Sequence, residues 1–177
     1  MVRVREMTEA DIETVSEIRV RGWQSAYAGI VPQAYLDGMS VEEDARRRRE
    51  WWARSRGQVL DLVAVDGRAG TVGWASLGPY RGATADPRSG EVYALYVRPE
   101  LTGTGIGRTL LEAVHHHAMG RFGALLLWVL RDNVRGRRFY RSAGYAADGA
   151  EQSDTYGSDA RGEVTLTELR YRRAMQE

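Results

Sequence analysis

The sequence predicts a mixed α/β domain with a largely antiparallel central sheet of six to seven strands, flanked by about four helices. Three observations lead to this class. Short strand-like segments recur along the chain, a glycine-rich turn at 102–109 opens a strongly apolar helical stripe, and Asp66-Gly67 separates two adjacent strand-like segments. The 177 residues suit one domain, and no repeat or low-complexity linker divides them, so we predict a single domain over residues 1–177.

One strand and two helices are predicted in the amino-terminal part of the chain. Residues 2–5 alternate valine and arginine, which indicates a strand, and Thr8 and Asp11 can form a capping box that opens a helix. We expect this helix to end near Gly22, where glycine and large aromatic residues interrupt its apolar face. A second helix is predicted over 41–55.

The middle of the chain predicts three consecutive antiparallel strands. Residues 59–65 and 71–77 are strand-like, and Asp66-Gly67 between them is typical of a two-residue hairpin turn. Residues 78–90 are rich in glycine, proline and small side chains, which indicates a loop. A further strand is predicted over 91–97.

The carboxy-terminal part predicts two more helices and three more strands. Apolar residues recur every four positions over 106–118, as in a helix packed on a sheet. Residues 125–130 are continuously apolar, which indicates a central strand, and Asn133 caps a short helix over 134–143. The last two strands are predicted over 145–152 and 164–171, with a loop between them.

Composition excludes several classes of function. The chain has no cysteine, which removes disulfides, thiolate metal sites and cysteine nucleophiles. The 25 basic and 24 acidic residues give a net charge of +1, so we expect no nucleic-acid partner. The amino terminus alternates charge and valine, so we expect no membrane segment and a cytoplasmic location. The sequence is compatible with a homodimer.

Two conspicuous clusters are interpreted as ordinary helix surface. His115, His116 and His117 lie on consecutive helix positions, where the outer two point about 160° apart and cannot chelate together, so no metal is expected. The arginine run 46–49 beside Trp51-Trp52 is flanked by acidic residues, as in a solvated helix face.

The glycine-rich turn is the strongest chemical signal in the sequence. A strand that enters such a turn and then a helix directs unpaired backbone amides and the positive end of the helix dipole at an anion, typically a phosphate. The Rossmann spacing fails because Arg108 stands where a third glycine is needed, and the Walker spacing fails because Thr102 stands where its first glycine is needed.

Two segments then point to one family. EVYALYVRPELTGTGIGRTLLEAV at 91–114 and LWVLRDNVRGRRFYRSAGY at 127–145 resemble, in order, the strand–turn–helix and the asparagine–tyrosine motifs of the GNAT N-acetyltransferase superfamily. The chain departs from the family at Thr102, where glutamine or arginine is usual. The resemblance implies the GNAT fold and an enzyme that transfers an acetyl group from acetyl-CoA, its co-substrate, to a primary amine without a metal.

The resemblance also implies roles for individual residues. Glu91 corresponds to a general base, Tyr140 to the general acid that protonates the departing thiolate, and the Leu95 amide to the oxyanion donor. A base is expected because freeing the lone pair of an amine with a pKa near 10 costs roughly 4 to 5 kcal/mol at neutral pH. Strict alternation places Glu91 on one strand face with Tyr93, Leu95 and Val97. The implied coenzyme A contacts are Leu95, Tyr96, Val97, Thr102, Gly103, Thr104, Gly105, Ile106, Gly107, Arg108, Thr109, Asn133 and Tyr140.

The acceptor is left open by the sequence. By analogy with the fold, Trp23, Tyr27, Trp74, Tyr80 and Tyr156 are candidate wall residues, and Asp154 and Asp159 could attract a cationic amine. Small metabolite or antibiotic amines, polyamines, peptide amino termini and protein lysines all remain open. Two other functions are considered: a non-catalytic acyl-CoA sensor, which needs neither Glu91 nor Tyr140, and a regulatory domain that binds ATP at the glycine turn.

Overall fold

Seven strands form one mixed sheet in the computed structural model, which describes residues 1–83, 86–156 and 162–176. The strands are β1 (Val2–Glu6), β2 (Leu60–Asp66), β3 (Gly70–Pro79), β4 (Ser89–Val97), β5 (Ala124–Leu130), β6 (Ala146–Tyr156) and β7 (Val164–Ala174). Their order is β1-β2-β3-β4-β5-β7-β6. Every neighbouring pair is antiparallel except β4 and β5, which are parallel. The predicted fold class is confirmed.

Five α-helices accompany the sheet in the described ranges, one more than predicted. They are α1 (Ile12–Ala26), α2 (Gln33–Asp37), α3 (Val41–Ser55), α4 (Ile106–Ala118) and α5 (Val134–Ser142). The additional helix, α2, is a single short turn without an apolar stripe in the sequence. No helix of the described residues is both long and apolar enough to cross a membrane.

The first helix is longer than predicted, and the reason is a close contact. The Thr8 amide donates to the Asp11 carboxylate over 2.8 Å, as the capping box predicts. The helix does not end near Gly22, however, but continues to Ala26. A Cβ at Gly22 would lie 3.0 Å from Cδ1 of Tyr96. Glycine therefore lets α1 approach the sheet and is not a stop signal here.

The hairpin between β2 and β3 also differs from the prediction. Its loop has three residues, 67–69, and the glycine with positive φ is Gly70 (72°) rather than Gly67. The Asp66 carboxylate accepts hydrogen bonds from the amides of Arg68 (2.9 Å) and Ala69 (3.0 Å). A longer loop followed by a left-handed glycine is a common alternative to the two-residue turn.

The last hairpin extends further than the sequence indicated. Residues 153–156 belong to β6 and not to a loop, and β7 continues to Ala174. Nearly all of β6 is exposed, because it is the edge of the sheet. A polar edge strand lacks the apolar alternation on which the prediction depended.

Helices cover both faces of the sheet. On one face α4 packs through Leu110 and Val114, both fully buried, against β2, β3 and β4. On the other face α1 and α3 cover Trp74 and neighbouring residues. Each fully buried Leu or Val contributes about 1.5 to 3 kcal/mol. A Cβ at Gly73 would lie 2.8 Å from Cδ1 of Leu110, so glycine sets how closely α4 lies on the sheet.

The centre of the sheet opens between β4 and β5. Their register contains only Ser89↔Ala124, Gly90↔Leu125 and Glu91↔Leu126. Beyond Glu91 the two strands separate, although β4 continues to Val97 and β5 to Leu130. One edge of β4 therefore faces a gap in the sheet.

Candidate active site

The glycine-rich turn lies at the amino terminus of α4, beside this gap. Gly103 and Gly105 have φ angles of 84° and 92°, a region that other residues rarely adopt, so both glycines are required by the backbone. Gly105 is the N-cap of α4. The amides of the first helical turn have no carbonyl partner within their own helix, so they are available to an anion there.

The free edge of β4 presents its own backbone amides. The Arg98 amide donates to the Val72 carbonyl (2.9 Å), so the backbone groups of this residue point toward β3. Because successive residues in a strand direct their amides to opposite edges, the amides of Leu95 and Val97 point away from β3. They face the gap between β4 and β5.

A cleft of about 640 Å³, which we call the glycine-turn cleft, occupies the gap. Ten of the predicted coenzyme A contacts line it: Leu95, Tyr96, Val97, Thr102, Gly103, Gly105, Gly107, Arg108, Asn133 and Tyr140.

Three other predicted contacts do not line the cleft. Ile106 is buried in the core. Thr104 and Thr109 donate their hydroxyls to the Leu101 carbonyl (2.6 Å) and the Gly105 carbonyl (3.1 Å), so these side chains support the turn from within.

Two residues at the start of α5 border the same cleft. Asn133 caps this helix as predicted, because its side-chain oxygen accepts from the Gly136 amide over 3.0 Å. The guanidinium of Arg135 would lie 3.4 Å from a Cβ at Gly103, so it adds a positive charge next to the turn. Arg135 was not predicted from the sequence.

Tyr140 lies on the wall of the cleft opposite β4. Its ring packs edge-on against Phe139 and Tyr145, with ring centroids 5.2 Å and 5.9 Å apart. Burial, with a smaller contribution from Tyr96, raises the pKa of Tyr140 above its ordinary value, so the phenol keeps its proton at neutral pH. Within the described chain the hydroxyl has no hydrogen-bond partner, yet it is not sealed from solvent. It is free to interact with a ligand.

The position of Glu91 corrects the prediction from strict alternation. The register of β3 and β4 passes from Ser76↔Ala94 to Leu77↔Val92, so Tyr93 is an extra residue on β4. This bulge reverses the alternation. Glu91 therefore does not share a face with Leu95 and Val97, but lies on the opposite face, toward α1 and α3.

Glu91 is buried and paired with an arginine. Its residue surface is only 3% exposed, so it is not a surface carboxylate. Arg81 donates through its guanidinium to one carboxylate oxygen (2.6 Å) and through its backbone amide to the other (3.2 Å). The same guanidinium stacks 4.0 Å above the ring of Tyr93. Each carboxylate oxygen retains a further lone pair for another donor.

Glu91 borders a second cleft of about 440 Å³, which we call the aromatic cleft. Trp23, Tyr27 and Tyr156, all predicted from the sequence, form its wall, with Trp23 and Tyr27 ring centroids 4.8 Å apart and Trp23 and Tyr156 centroids 5.6 Å apart. The two clefts share six lining residues: Tyr27, Val92, Tyr93, Ala94, Tyr96 and Trp128. They therefore meet across β4.

Two predicted wall residues behave differently. Trp74 borders the aromatic cleft but is only 4% exposed, and its indole nitrogen donates to Asp61 over 3.0 Å. It is mainly a core residue. Tyr80 lines neither cleft, and its hydroxyl accepts from Arg170 on β7 (3.1 Å).

Asp154, one of the two predicted acidic residues, lines neither cleft. Asp154 is exposed on β6, where its carboxylate accepts from the Thr155 amide (2.9 Å). Asp159 lies outside the described residues.

The aromatic cleft also contains charged residues that the sequence analysis missed: Arg19, Arg48, Arg81 and Glu168. They come from α1, α3, the loop after β3 and β7, so only the fold brings them together. A run of arginines on α3 was visible in the sequence, but the helix face that turns inward was not.

The histidine run has a structural role at one position. His115 interacts through Nε2 with the Tyr145 hydroxyl (2.9 Å). Burial, with a smaller effect from Arg173, lowers the pKa of His115 to about 4. Among the residues that the structure describes, no group of three or more histidine or acidic side chains is placed to hold a metal ion.

Comparisons with known proteins agree with this architecture. The family model described as Acetyltransferase (GNAT) family matches residues 23–145. An uncharacterized N-acetyltransferase of Bacillus subtilis is 33% identical over 137 residues, covering 75% of this chain and 74% of that protein. The spermidine N(1)-acetyltransferase of Thermoplasma acidophilum is 28% identical over 163 residues, covering 89% of this chain and 93% of that protein.

A solved structure has the same fold. The PaiA N-acetyltransferase of Thermoplasma acidophilum, in complex with coenzyme A, matches with a TM-score of 0.74 and 22% identity, covering 98% of this chain and 99% of that one. The match of the family model spans more than half of the chain and includes both motifs and both sides of the β4–β5 gap. The chain therefore belongs to the GNAT family of acetyltransferases.

Proposed function

We propose that this protein transfers an acetyl group from acetyl-CoA to a primary amine, with Glu91 as general base and Tyr140 as general acid. The observation that carries the proposal is the meeting of the two clefts across β4, with Tyr140 on the glycine-turn cleft and Glu91 on the aromatic cleft. A thioester in one cleft and an amine in the other could react at their junction.

The glycine-turn cleft fits coenzyme A by its chemistry. A diphosphate would accept hydrogen bonds from the amides at the start of α4, next to the positive charges of Arg108 and Arg135. The pantetheine arm carries amides, which would pair with the exposed edge of β4 at Val97 as a neighbouring strand would. Asn133 would hold the same arm. Coenzyme A bound to the structurally similar protein supports this assignment.

Glu91 would accept the proton of the incoming ammonium group, directly or through a water molecule. The amine nitrogen then bonds to the acetyl carbon, and the bond from that carbon to sulfur breaks. Burial and the hydrogen bond from Arg81 would hold the Glu91 carboxylate in one orientation, which supports this role. The Leu95 amide, which faces the gap, would stabilise the negative oxygen of the intermediate.

Tyr140 would give its proton to the departing thiolate. A raised pKa ensures that the phenol is protonated before the reaction, and its hydroxyl is not occupied by another protein group in the described chain. Two protons leave the nitrogen between the ammonium and the amide: Glu91 takes the first, and the tetrahedral intermediate loses the second. One of them replaces the proton that Tyr140 gives to the thiolate, and the other is released to solvent, so each turnover releases one net proton.

A turnover assay separates this proposal from the two alternatives. We expect release of free coenzyme A thiol from acetyl-CoA only when an amine is present, with an equal amount of N-acetylated product. A sensor would bind acetyl-CoA without amine-dependent thiol release. A nucleotide-binding domain would be revealed if ATP displaced bound coenzyme A at a similar concentration.

A further inference from the structure

Two arginines on adjacent helices face the aromatic cleft and share one counter-ion. Arg19 on α1 and Arg48 on α3 both border the cleft. Both donate to the same carboxylate, that of Asp44, over 2.7 Å and 3.0 Å. Two guanidinium charges therefore meet one carboxylate at this wall.

Both guanidiniums retain hydrogen-bonding capacity toward the cleft. Arg19 uses only Nη1 for Asp44, and Arg48 uses Nη2 for Asp44 and Nε for Ser16 (3.3 Å). A guanidinium has five N–H donors, so several remain on each side chain. In the described chain no buried side-chain nitrogen lacks a partner, so the nitrogens without one are accessible.

Aromatic rings fix these two cations in place. Arg48 lies 4.2 Å above the ring of Trp74, and Arg19 lies 5.1 Å from the ring centroid of Trp23. Asp61 also interacts electrostatically with Arg48, but it does not line the aromatic cleft, and its carboxylate accepts from the Trp74 indole nitrogen (3.0 Å). A fixed pair of guanidiniums with unused N–H donors is a suitable binding site for a carboxylate.

The sheet side of the same cleft carries the opposite charge. Glu168 on β7 accepts from Gln152 Nε2 (2.6 Å) and the Tyr156 hydroxyl (3.3 Å), both neutral groups. Glu91 lies on this side too, already paired with Arg81. An ammonium group is therefore favoured at the sheet, and an anion at the helices.

From this separation of charge we infer that the acceptor is an amino acid with an apolar side chain, whose carboxylate binds Arg19 and Arg48 while its amine faces Glu91 and Glu168. The inference deepens the proposed function and depends on it for the transfer step. The cleft volume of about 440 Å³ suits a molecule of this size, and Trp23, Trp51 and Trp128 supply apolar wall for its side chain. A polyamine, by contrast, would bring positive charge to the arginine wall.

Matched pairs of acceptors that differ in one carboxylate test this inference. L-Phenylalanine is compared with 2-phenylethylamine, and L-leucine with 3-methylbutylamine, in wild type and in Arg19→Gln. We expect the ratio of kcat/KM within each pair to fall about 10- to 100-fold in the variant, the effect of losing a charged hydrogen bond. Comparing ratios cancels the different basicities of the amines.

Two further variants make the test robust. Arg48→Gln should lower the same ratio, and it serves if Arg19→Gln fails to fold. Arg46→Gln is the control, because Arg46 lies on the same helix as Arg48 but is exposed, pairs with Glu50 over 3.1 Å and lines neither cleft. Its ratio should equal that of wild type.

The outcomes separate the inference from the proposed function. An unchanged ratio in both Arg19→Gln and Arg48→Gln, or a wild-type preference for spermidine over L-leucine, overturns the inference while leaving amine acetylation intact. If no amine is acetylated, the proposed function fails. The inference is then tested by calorimetry, which measures the binding of L-phenylalanine and 2-phenylethylamine to the coenzyme A-saturated protein. Tighter binding of L-phenylalanine than of 2-phenylethylamine, lost in Arg19→Gln, supports it, and equal binding overturns it.

Discussion

At the scale of single residues, the proposed chemistry depends on two ionisable side chains, the buried Glu91 and the partly buried Tyr140, on opposite sides of β4. Glu91 is held by Arg81, and Tyr140 is held by packing against Phe139 and Tyr145. Neither side chain can move far without losing these contacts, so each is positioned before substrates bind. Such preorganisation is what general acid–base catalysis requires.

Replacing Glu91 by glutamine removes the proposed base and changes its size very little. We expect kcat/KM for the amine to fall by about 10² to 10⁴ near neutral pH. We also expect the optimum to move to higher pH, because the reaction then depends on amine that solution has already deprotonated. A pH–rate profile tests this, with Glu50→Gln on the exposed face of α3 as control. An unchanged profile would remove Glu91 from the mechanism.

Replacing Tyr140 by phenylalanine removes only the proposed acid. We expect kcat to fall by about 10²-fold or more while KM for acetyl-CoA changes little, because the ring remains in place. Tyr145→Phe is the matched control, since its hydroxyl bonds His115 and its ring touches Tyr140, but it lines neither cleft. Equal kcat in Tyr140→Phe and Tyr145→Phe would contradict the assignment.

Candidate residues could be predicted where a local motif carries the information. Gly103, Gly105, Asn133 and Tyr140 follow from such motifs, and all four line the glycine-turn cleft. The face of Glu91 could not be predicted, because the bulge at Tyr93 arises from pairing with β3 and leaves no pattern in β4 itself.

The aromatic cleft was harder to predict than the glycine-turn cleft. Arg19, Arg48 and Glu168 belong to three distant segments, and only the packing of α1, α3 and β7 brings them to one surface. Tyr80 was expected at this surface but instead contacts Arg170.

At the scale of elements, the turn before α4 requires a backbone conformation that favours glycine. Gly105 has a φ of 92°, and an added Cβ there would meet no atom within 4 Å. Gly105→Ala should therefore act through backbone strain of about 1 to 2 kcal/mol, which displaces the amides at the helix start. We expect about a tenfold or greater rise in the dissociation constant of coenzyme A, measured by calorimetry.

A second glycine provides the control for this prediction. Gly120, just beyond the other end of α4, also has a positive φ (73°) and open space around its Cβ position. Gly120→Ala should lower thermal stability to a similar extent without weakening the binding of coenzyme A. If both variants bound coenzyme A equally weakly, the cause would be general backbone strain rather than displacement of the amides at the start of α4.

The packing of α4 on the sheet is limited by Gly73. A methyl group there would lie 2.8 Å from Cδ1 of Leu110 and 3.2 Å from the Tyr96 carbonyl oxygen, so either the helix or β3 must shift. We expect Gly73→Ala to cost about 1 to 3 kcal/mol of unfolding free energy, measured by urea denaturation. Gly67→Ala in the β2–β3 loop should be close to neutral, and an equally stable Gly73→Ala would contradict this packing argument.

Most elements could be predicted because their local sequence patterns are strong. The α3 and α4 helices, the apolar strand β5 and the Asn133 cap all follow from local pattern. The predicted element bounds were wrong where long-range contacts override local signals. At Gly22, for example, the close approach of the Tyr96 ring favours glycine inside α1. The polar end of β6 was missed because an exposed edge strand has no buried face to produce alternation.

At the scale of the whole molecule, His115 links folding stability to pH. Its folded pKa of about 4 lies below its ordinary value of 6.5, so the unfolded chain binds more protons there between these two pH values. The free energy of unfolding should therefore fall as pH is lowered through this window. His115→Gln should show a shallower fall in urea denaturation over the same range. Parallel curves for wild type and variant would contradict the assigned pKa.

The family itself was predictable from the sequence, whereas the acceptor was not. Two motifs in the right order led to the GNAT resemblance, and the family match confirms it. Those motifs surround the glycine-turn cleft, while the aromatic cleft is built by segments whose arrangement only the complete fold determines.

We propose that the meeting of the two clefts at β4 allows acetyl transfer from acetyl-CoA to an amine. The most direct test uses acetyl-CoA labelled with ¹³C in the acetyl group, a panel of amines that includes L-phenylalanine, L-leucine and spermidine, and mass spectrometry of the products. We expect a labelled N-acetylated amine in an amount equal to the free thiol released. Tight binding of acetyl-CoA without a labelled product from any amine would contradict it.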